Sequence, residues 1–269
     1  MAGPALRLSA LAIASVNGLG FAATALTQSH ALTDLCGTAG FVAGAWATHG
    51  AACRAAGRRL LAPTRGLALT LAVSAWAARL GGHLFARVLK TGKDERLDPL
   101  FGSPYPLKLA GFWCAQAAWA WIGLLPVVAV HARPATKIGA FSGAALAAAA
   151  AALGVEAAAD AQKSAFRADP ANAGKHCDAG LFAVVQHPNY SAEIAFWSAL
   201  TLAAGPATLA AAPWALASPS FSYFLITRVS GIPPLRERSA RVYGRAWADY
   251  DARTPRLLPR WAGGRARGE

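Results

Sequence analysis

Charged residues are scarce in this chain: they make up 14% of its 269 residues, while 55% of the residues are hydrophobic. A soluble globular domain carries about a quarter charged residues, so the composition favours a polytopic membrane protein. Acidic residues are scarcest, 13 against 26 basic ones, which gives a net charge of +13. The basic residues lie in loops beside apolar runs, and no nucleic-acid-binding module is apparent. The charge therefore indicates contact with a lipid bilayer, with no nucleic acid as partner.

Cysteine is also sparse. The four cysteines (Cys36, Cys53, Cys114 and Cys177) lie far apart, and none of them forms a Cys-x-x-Cys pair. This spacing provides neither the ligand pairs of a zinc site nor the framework of a disulfide-rich domain. The sequence therefore predicts no metal site.

Long apolar runs are abundant. Five runs of about 20 residues, the length of one membrane-spanning helix, occupy residues 5–26, 33–53, 66–86, 109–131 and 138–157. A sixth run, 191–227, has room for two spans, and Gly205-Pro206 near its middle predicts a turn between them. We therefore expect an all-α integral membrane protein with about seven transmembrane helices, in one polytopic domain over residues 1–269.

The first two runs carry local signals of their own. Residues 5–26 also fit a secretory signal peptide, since a positive charge precedes an apolar core. We favour a retained first span, because its length fits a bilayer and a second span follows at once. Asp34 at the start of the second run is placed to act as its N-cap.

The positions of Lys and Arg predict the orientation. With seven spans, the loops 87–108 and 158–190 share a side with the tail, and together they hold 18 Lys and Arg residues, against seven on the other side. The positive-inside rule then predicts that the central polar segment and the basic tail are cytoplasmic. Four arginines in the loop 54–65 argue against this orientation.

The third run contains charge inside an apolar helix. Arg79, His83 and Arg87 stand at positions i, i+4 and i+8, which form one stripe on a helix. An arginine at membrane depth is costly and usually faces a bundle interior or a water-filled cavity. The alternative is that Arg79 only snorkels or pairs structurally.

The segment 155–193 concentrates the remaining polar chemistry. Glu156, Asp160, Lys163 and Arg167 are spaced by four, three and four residues, which places them on one face of a helix. Further along, His187, Tyr190 and Glu193 are spaced by three and share a face if a helix begins at Pro188, a favoured first-turn residue.

These residues also carry a family resemblance. The ordered patterns are Asp160-x-Gln-Lys-x-x-x-Arg167, Gly180-Leu-Phe, His187-Pro-Asn-Tyr-x-x-Glu193 and Tyr243-Gly-x-x-Trp-x-x-Tyr250-x-x-x-Thr-Pro, with weaker matches at Thr33-Asp34 and Arg79-Leu-Gly. In this combination the chain resembles the DUF1295 family, which is related to steroid 5-alpha-reductases and sterol reductases. A string similar to His-Pro-x-Tyr also occurs in isoprenylcysteine methyltransferases.

The resemblance implies NADPH as the cofactor. It assigns residues 158–269 to a reductase-like cofactor-binding part and residues 1–157 to the substrate side. The residues that it places around the cofactor are Glu156, Asp160, Lys163, Arg167, His187, Asn189, Tyr190, Glu193, Arg236, Tyr243 and Tyr250. Their chemistry agrees with this role, because lysine and arginine bind phosphates and amides and carboxylates bind ribose hydroxyls. For Tyr243 and Tyr250, anchoring at a membrane interface is an equally good interpretation. No Gly-x-Gly-x-x-Gly fingerprint is present, so the cofactor would bind between helices.

Two positions depart from the family pattern. Many relatives have arginine before His-Pro-Asn-Tyr where this chain has Gln186, which removes one possible phosphate contact. The steroid reductases have a His-Tyr-x-x-Arg string whose tyrosine donates to the substrate ketone, and the best match here is His83-Leu84-x-x-Arg87. His83 and Arg79 are therefore the remaining candidates for polarising a carbonyl.

The sequence thus predicts an NADPH-dependent membrane oxidoreductase that reduces a conjugated carbon–carbon double bond of a hydrophobic lipid or steroid-like substrate. Its location would be an internal membrane such as the endoplasmic reticulum in a eukaryote, or the inner membrane in a bacterium. Two alternatives stay open. One is an S-adenosylmethionine-dependent methyltransferase of the isoprenylcysteine methyltransferase type, and the other is a non-catalytic member of the fold.

Overall fold

The computed structural model describes residues 2–91, 107–133 and 137–260, and this part of the chain is helical, with no strand. The remaining residues, which include most of the polar loop 87–108, lie outside the described part. The helices are α1 (Gly3–Thr27), α2 (Thr33–Ala55), α3 (Arg65–Thr91), α4 (Leu107–Gly123), α5 (Leu125–His131), α6 (Ala140–Ala168), α7 (Leu181–Val184), α8 (Pro188–Ala203), α9 (Pro206–Ala211), α10 (Ala217–Phe224) and α11 (Ile232–Arg253).

The chain divides into two compact units. The first consists of the described residues up to Ala147 together with Trp197–Phe221, and the second consists of Ala148–Phe196 together with the described residues from Ser222. Both this division and the predicted boundary at residue 157 fall inside α6. The expectation of a single polytopic domain stays a prediction.

In the first unit, α1 packs on α2 and α4, and α2 packs on α3. Glycines permit the closest approaches: a Cβ at Gly81 of α3 would lie 2.4 Å from the Thr38 hydroxyl of α2. Polar side chains also join the helices, since Gln116 of α4 donates to the Asn17 side chain of α1 at 3.1 Å. Small residues and interhelical hydrogen bonds are the usual contacts between helices in membranes.

An aromatic cluster forms the centre of this unit. The ring of Phe41 lies 4.8 Å from that of Trp76, 4.7 Å from that of Trp119 and 5.3 Å from that of Trp197, measured between centroids. Phe41, Trp76 and Trp197 are almost completely buried. Edge-to-face and tilted aromatic contacts at these distances are favourable beyond their buried area. Trp119, in the fourth apolar run, therefore has a packing role.

Two helices of the described residues, α1 and α6, are long and apolar enough to cross a membrane, and α4 with α5 would make a third as one bent span. An all-helical chain compatible with membrane integration is therefore confirmed. α2 and α3 are long helices at the predicted positions, but they do not reach the same apolar content.

The fourth predicted span is not a straight helix. It breaks after Gly123, and α4 and α5 meet at a bend of 51°. Pro126 lies in the first turn of α5, where its ring and missing N–H interrupt the helical hydrogen bonds. The hydroxyl of Ser218 donates to the carbonyl oxygen of Gly123 at 2.8 Å, which satisfies an acceptor at the break.

The sixth apolar run turns where predicted. Gly205 has φ +87°, a value that glycine adopts without strain, and Arg65 donates to the preceding carbonyl of Ala204 at 2.8 Å. After this turn the described chain does not form one continuous helix. That arm is broken into α9, a 3₁₀ turn at Pro213–Leu216, α10 and a π-helical turn at Leu225–Val229, because Pro206 and Pro213 each begin a new helical segment.

The predicted N-cap at Asp34 is also wrong. The cap position is Leu32, whose side chain makes no capping bond, and Asp34 lies in the first turn of α2. There its carboxylate lies 3.5 Å from the guanidinium of Arg87 on α3. An acidic residue in a first turn is favourable for the helix dipole, so Asp34 stabilises α2 by its charge.

In the second unit, the prolines of the tail do not prevent a long helix. Pro233 and Pro234 lie in the first turn of α11, where the missing N–H groups would be unbonded in any case. α11 then continues to Arg253, with a kink at Gly244, where φ is +53°. No sequence pattern predicted this helix.

Candidate functional site

The first element of the site is a contact between α6 and α8. Asn189, in the first turn of α8, donates from its side-chain amide to the carboxylate of Asp160 on α6 at 3.3 Å. α8 begins at Pro188, as the sequence predicts, and α6 stays helical through Asp160, Lys163 and Arg167. The two polar patterns of the segment 155–193 therefore meet in space.

Lys163 lies at the junction with the short helix α7. Its ammonium nitrogen is 5.5 Å from the centroid of the Phe182 ring, a cation–π distance. The turn before α7 depends on Gly180, whose φ is +59°, and the side-chain oxygen of Gln162 accepts from the N–H of Leu181 at 2.9 Å. The Gly180-Leu-Phe string thus forms a turn that holds an aromatic ring beside the lysine.

His187 is buried, with 5% of its surface exposed. Its backbone is fixed, because its N–H donates to the carbonyl of Arg256 at 3.1 Å. Its ring stacks on that of Tyr190 at 5.5 Å between centroids. The ring atom Nε2 is buried and has no hydrogen-bond partner within the part of the chain that the structure describes.

The charge around His187 is positive. Burial lowers the pKa of its imidazole, the positive charges of Lys163, Arg236 and Arg256 lower it further, and Asp251 raises it only in part, so that the pKa lies at about 4. These three cations come from α6, α11 and the segment after α11. The histidine is therefore neutral at physiological pH, and the cations around it favour an anion.

A hydrogen-bond network joins α11 to the residue before His187. Gln186 is buried and donates to the Asp251 carboxylate at 3.0 Å and to the carbonyl of Thr254 at 2.6 Å, while Arg236 binds the other oxygen of Asp251. Burial alone would raise the pKa of Asp251, but the bonds from Arg236 and Gln186 hold it below its usual value. The Gln186 side chain therefore bonds to other residues of the chain and is not exposed on the surface.

The tyrosines of α11 lie against His176. Its ring is 5.6 Å from that of Tyr243, 5.8 Å from that of Trp247 and 4.7 Å from that of Tyr250. Tyr250 is buried, and its hydroxyl donates to the carbonyl of Phe182 at 2.6 Å. Burial raises the pKa of this phenol well above its ordinary value, so the hydroxyl stays protonated and ties α11 to α7.

The other predicted cofactor residues differ in exposure. Glu156 is buried, Glu193 is half-buried and Arg167 is exposed. Arg79 and His83 are half-buried on α3, which belongs to the first unit. The structure thus brings Asp160, Lys163, His187, Asn189, Tyr190 and Arg236 into one neighbourhood of the second unit, and the role of each residue stays a prediction.

Several members of the site carried no usable sequence signal. Asp251 lies 65 residues from its partner Gln186, and Arg256 lies in a tail where many residues are basic. His176 precedes the recognised Gly180-Leu-Phe string and belongs to no pattern. Only the fold shows that these residues lie beside the predicted ones.

The second unit also holds an open cavity of about 700 Å³, lined by residues from the first turns and the last turns of α11. It is lined by Val229, Pro233, Pro234, Arg236, Glu237, Ala240, Trp247, Ala248 and Asp251. This volume lies within the range of cofactor sites. Arg236 belongs both to this cavity and to the cations around His187, whereas Lys163 and Asn189 do not line the cavity.

The donor set fits a ligand that carries phosphates. It offers cations for the phosphates, an amide–carboxylate pair for hydroxyl groups, and a buried ring nitrogen that can accept or donate one bond. The described residues contain no group of three or more histidine, cysteine, aspartate or glutamate side chains that could hold a metal ion.

Comparison with known proteins gives one family. The family model described as "Protein of unknown function (DUF1295)" matches residues 20–254. No curated protein and no solved structure matches the sequence significantly. Because the family model covers most of the chain, including every residue of the site described above except Arg256, the chain belongs to the DUF1295 family.

Proposed function

We propose that this chain is an NADPH-dependent reductase of the membrane that acts on a conjugated carbon–carbon double bond of a lipid or steroid-like substrate. The proposal rests on the environment of His187. A buried, neutral imidazole whose Nε2 has no partner among the described residues lies amid the charges of Lys163, Arg236 and Arg256. A buried polar atom without a hydrogen-bond partner destabilises the folded protein, and a bound ligand that bonds to Nε2 would remove this penalty.

NADPH would supply the hydride. In this proposal the cations around His187 bind its phosphates, because charge-assisted hydrogen bonds to phosphate are the strongest that these side chains make. Asn189 and Asp160, which already bind each other, orient a ribose hydroxyl. Asp251 holds the Arg236 guanidinium in place, since it binds both Arg236 and Gln186.

The residues proposed to polarise the substrate belong to α3, in the first unit. Reduction of an enone places negative charge on the carbonyl oxygen in the transition state, and a positioned donor stabilises that charge. Arg79 and His83 are four residues apart on α3 and both are half-buried. They supply the donors in this proposal, because Leu84 stands where the related reductases have tyrosine.

We further propose seven spans with the site and the tail on the cytoplasmic side. Support comes from the described helices α1, α6 and the bent pair α4–α5, which have the length and composition of spans, and from the excess of Lys and Arg on the side of the tail. The broken helices α9 and α10 would occupy the last span, and broken helices at membrane depth are known where they are buried in protein.

Binding measurements on the purified full chain in detergent test the cofactor. We expect NADPH to raise the melting temperature, NADH to bind about tenfold or more weakly because it lacks one phosphate, and S-adenosylmethionine to have no effect. Asn189→Ala and Arg256→Gln should weaken NADPH binding, while Arg245→Gln, on an exposed position of α11, should not.

The same measurements can overturn the proposal. Stabilisation by S-adenosylmethionine without stabilisation by NADPH would establish the methyltransferase alternative. No effect of either compound on a well-folded sample would favour a non-catalytic member of the fold. Loss of folded protein on Asn189→Ala would give that residue a structural role.

A further inference from the structure

A second cavity, of about 340 Å³, lies in the first unit and is lined by residues from the end of α2, the start of α3 and the end of α5. It shares no residue with the site around His187, with the cavity of the second unit or with the stripe on α3. A volume of this size suits a small ligand or the head of a larger one.

A buried histidine of this lining, His49, has only 2% of its surface exposed. Within the described part of the chain its ring makes its polar contacts through Nε2, which lies 2.9 Å from the carbonyl oxygen of Leu60 and 3.6 Å from the thiol of Cys53. Because a carbonyl only accepts, Nε2 is the donor, and Nδ1 of the neutral ring is left as an acceptor. A buried acceptor without a partner is destabilising, so this nitrogen favours a ligand that donates to it.

Nδ1 of His49 lies beside Gly66 at the start of α3. A Cβ at Gly66 would lie 3.5 Å from this nitrogen and 3.1 Å from Cδ2 of His131, so the missing side chain leaves the space in front of the acceptor open. His131 does not compete for a ligand, because its Nδ1 lies 2.8 Å from the Thr48 hydroxyl and its Nε2 lies 3.2 Å from the Gly66 carbonyl oxygen. The polar contact of a ligand would therefore be made to His49.

Much of the remaining wall is apolar. Ala52, Ala55 and Ala56 of α2 and Val130 of α5 line the cavity with alkyl groups. A charged or strongly polar ligand loses its hydration against such a wall, whereas an apolar molecule with one hydroxyl group needs only one hydrogen bond. The lining therefore favours an alcohol with an apolar body.

Two arginines, Arg58 and Arg133, also line the cavity, but a neutral ligand requires neither of their charges. The guanidinium of Arg133 already donates to the carbonyl of Ala129 at 3.1 Å. An alcohol therefore fits the cavity without taking a guanidinium from a contact within the chain.

The location of the cavity indicates that the alcohol is a lipid. α5 is the second half of the bent span and ends at His131, which lines the cavity. In the loop after α2, Leu60 and Leu61 are 46% and 70% exposed. Exposed leucines next to the end of a membrane-length segment are typical of a surface that contacts lipid.

We propose that this cavity binds a neutral, hydroxyl-bearing lipid such as a long-chain primary alcohol. The hydroxyl donates to Nδ1 of His49, and the first carbons of the chain contact the alanines at the end of α2. This binding is independent of the proposed reductase activity.

Cys53 provides the readout for a test, because its thiol lines the cavity and is 9% exposed, whereas Cys114 on α4 is exposed. Alkylation of the purified full chain in detergent by N-ethylmaleimide, followed by peptide mass spectrometry, measures both thiols in one sample. We expect decanol to slow the alkylation of Cys53 and to leave that of Cys114 unchanged. Decyl methyl ether has the same alkyl chain and no donor, so it should bind about fivefold more weakly, the loss of one neutral hydrogen bond.

Variants of the acceptor and of the space in front of it test the geometry. His49→Phe keeps a ring and removes the acceptor, so decanol and decyl methyl ether should then protect Cys53 equally. Gly66→Ala leaves His49 intact and places a methyl group in front of Nδ1, so it should also remove the preference for the alcohol, even where His49→Phe does not fold. Gly82→Ala, on the same helix at a position where a Cβ would meet nothing within 4 Å, is the matched control and should keep the preference.

Three outcomes would overturn the proposal. Equal protection of Cys53 by decanol and decyl methyl ether in the unchanged chain would mean that the hydrogen bond to His49 does not form. Equal protection of Cys53 and Cys114 by decanol would show partitioning into the detergent without a specific site. Stronger protection by decanoate than by decanol would replace the alcohol with an anion held by the arginines.

Discussion

Gln186 donates a hydrogen bond of 3.0 Å to Asp251, and the second oxygen of Asp251 binds Arg236. The residue before the His-Pro-Asn-Tyr string thus connects α8 to α11 through a shared carboxylate. An arginine at this position would place a second cation on Asp251, in competition with Arg236. Glutamine supplies the hydrogen bonds without the charge, so Arg236 keeps the carboxylate as its partner.

We expect Gln186→Leu to destabilise the second unit. The change removes the donor to Asp251 and to the buried carbonyl of Thr254, and leaving a buried acceptor unpaired costs about 1–3 kcal/mol. Thermal unfolding of the purified chain measures the loss as a lower melting temperature. Asp249→Ala, at an exposed position of the same helix, is the control and should change little. A variant as stable as the wild type would show that the network does not stabilise the fold.

Stability should fall on acidification between about pH 6.5 and 4 because of His187. Its pKa is lowered to about 4 in the folded chain, while an unfolded histidine has its ordinary value of 6.5. Between these values the unfolded chain binds more protons, so stability is present above pH 6.5 and is lost as the pH falls. The shift corresponds to at most about 3.4 kcal/mol.

Melting temperatures from pH 4 to 8 check this expectation. His187→Gln should flatten the profile in that window. Burial also lowers the pKa of His176, so its protonation also reduces stability as the pH falls. Measuring His176→Gln in parallel separates the contributions of the two histidines to the pH dependence. An unchanged profile in His187→Gln would contradict the neutral, buried state of His187.

His83→Phe tests the donor role on α3 and rests on the proposed reductase activity. The ring keeps its bulk and loses its donor, so turnover of a reducible substrate should fall by about 10²–10³. NADPH affinity should stay within about twofold, because the cofactor residues belong to α6, α8 and α11. Steady-state kinetics and a binding titration on the same preparation measure the two effects. Unchanged turnover would remove His83 from the chemistry.

Gly81 and Gly82 on α3 form a matched pair for packing. A Cβ at Gly81 would lie 2.4 Å from the Thr38 hydroxyl, whereas a Cβ at Gly82 would meet nothing within 4 Å. Alanine in a helix interior is more stable than glycine by about 0.5–1 kcal/mol. Gly82→Ala should therefore raise the melting temperature and Gly81→Ala should lower it. Equal effects would mean that α2 and α3 do not depend on this close approach.

Local patterns in the sequence predicted most of the helices. The apolar runs located α1, α2, α3 and α6, because a stretch of apolar residues of that length is helical wherever it is buried or spans a bilayer. Pro188 marked the start of α8, and Gly205 marked the turn after it, since these residues restrict or extend the allowed backbone angles. The ordered motifs also identified the family, which the family model confirms.

Local signals did not predict two features of the chain. No sequence pattern predicted a helix in the tail, but Pro233 and Pro234 occupy a first turn, where proline is tolerated, and α11 forms. After Gly205 the residues are as apolar as in a span, yet proline and the packing of the short elements against α5 divide that arm. Apolar content alone does not specify a continuous helix.

By itself the sequence determined the class of the protein, the positions of its long helices and the residues that share a helix face. These properties depend on the composition and the hydrophobic periodicity of residues that are neighbours in the sequence. The tertiary structure decided which of those faces meet. It placed Asp160 against Asn189, Gln186 against Asp251, and three cations around a buried His187. Such contacts join residues up to about 70 positions apart, and their formation depends on how whole helices pack, a property that no local pattern encodes.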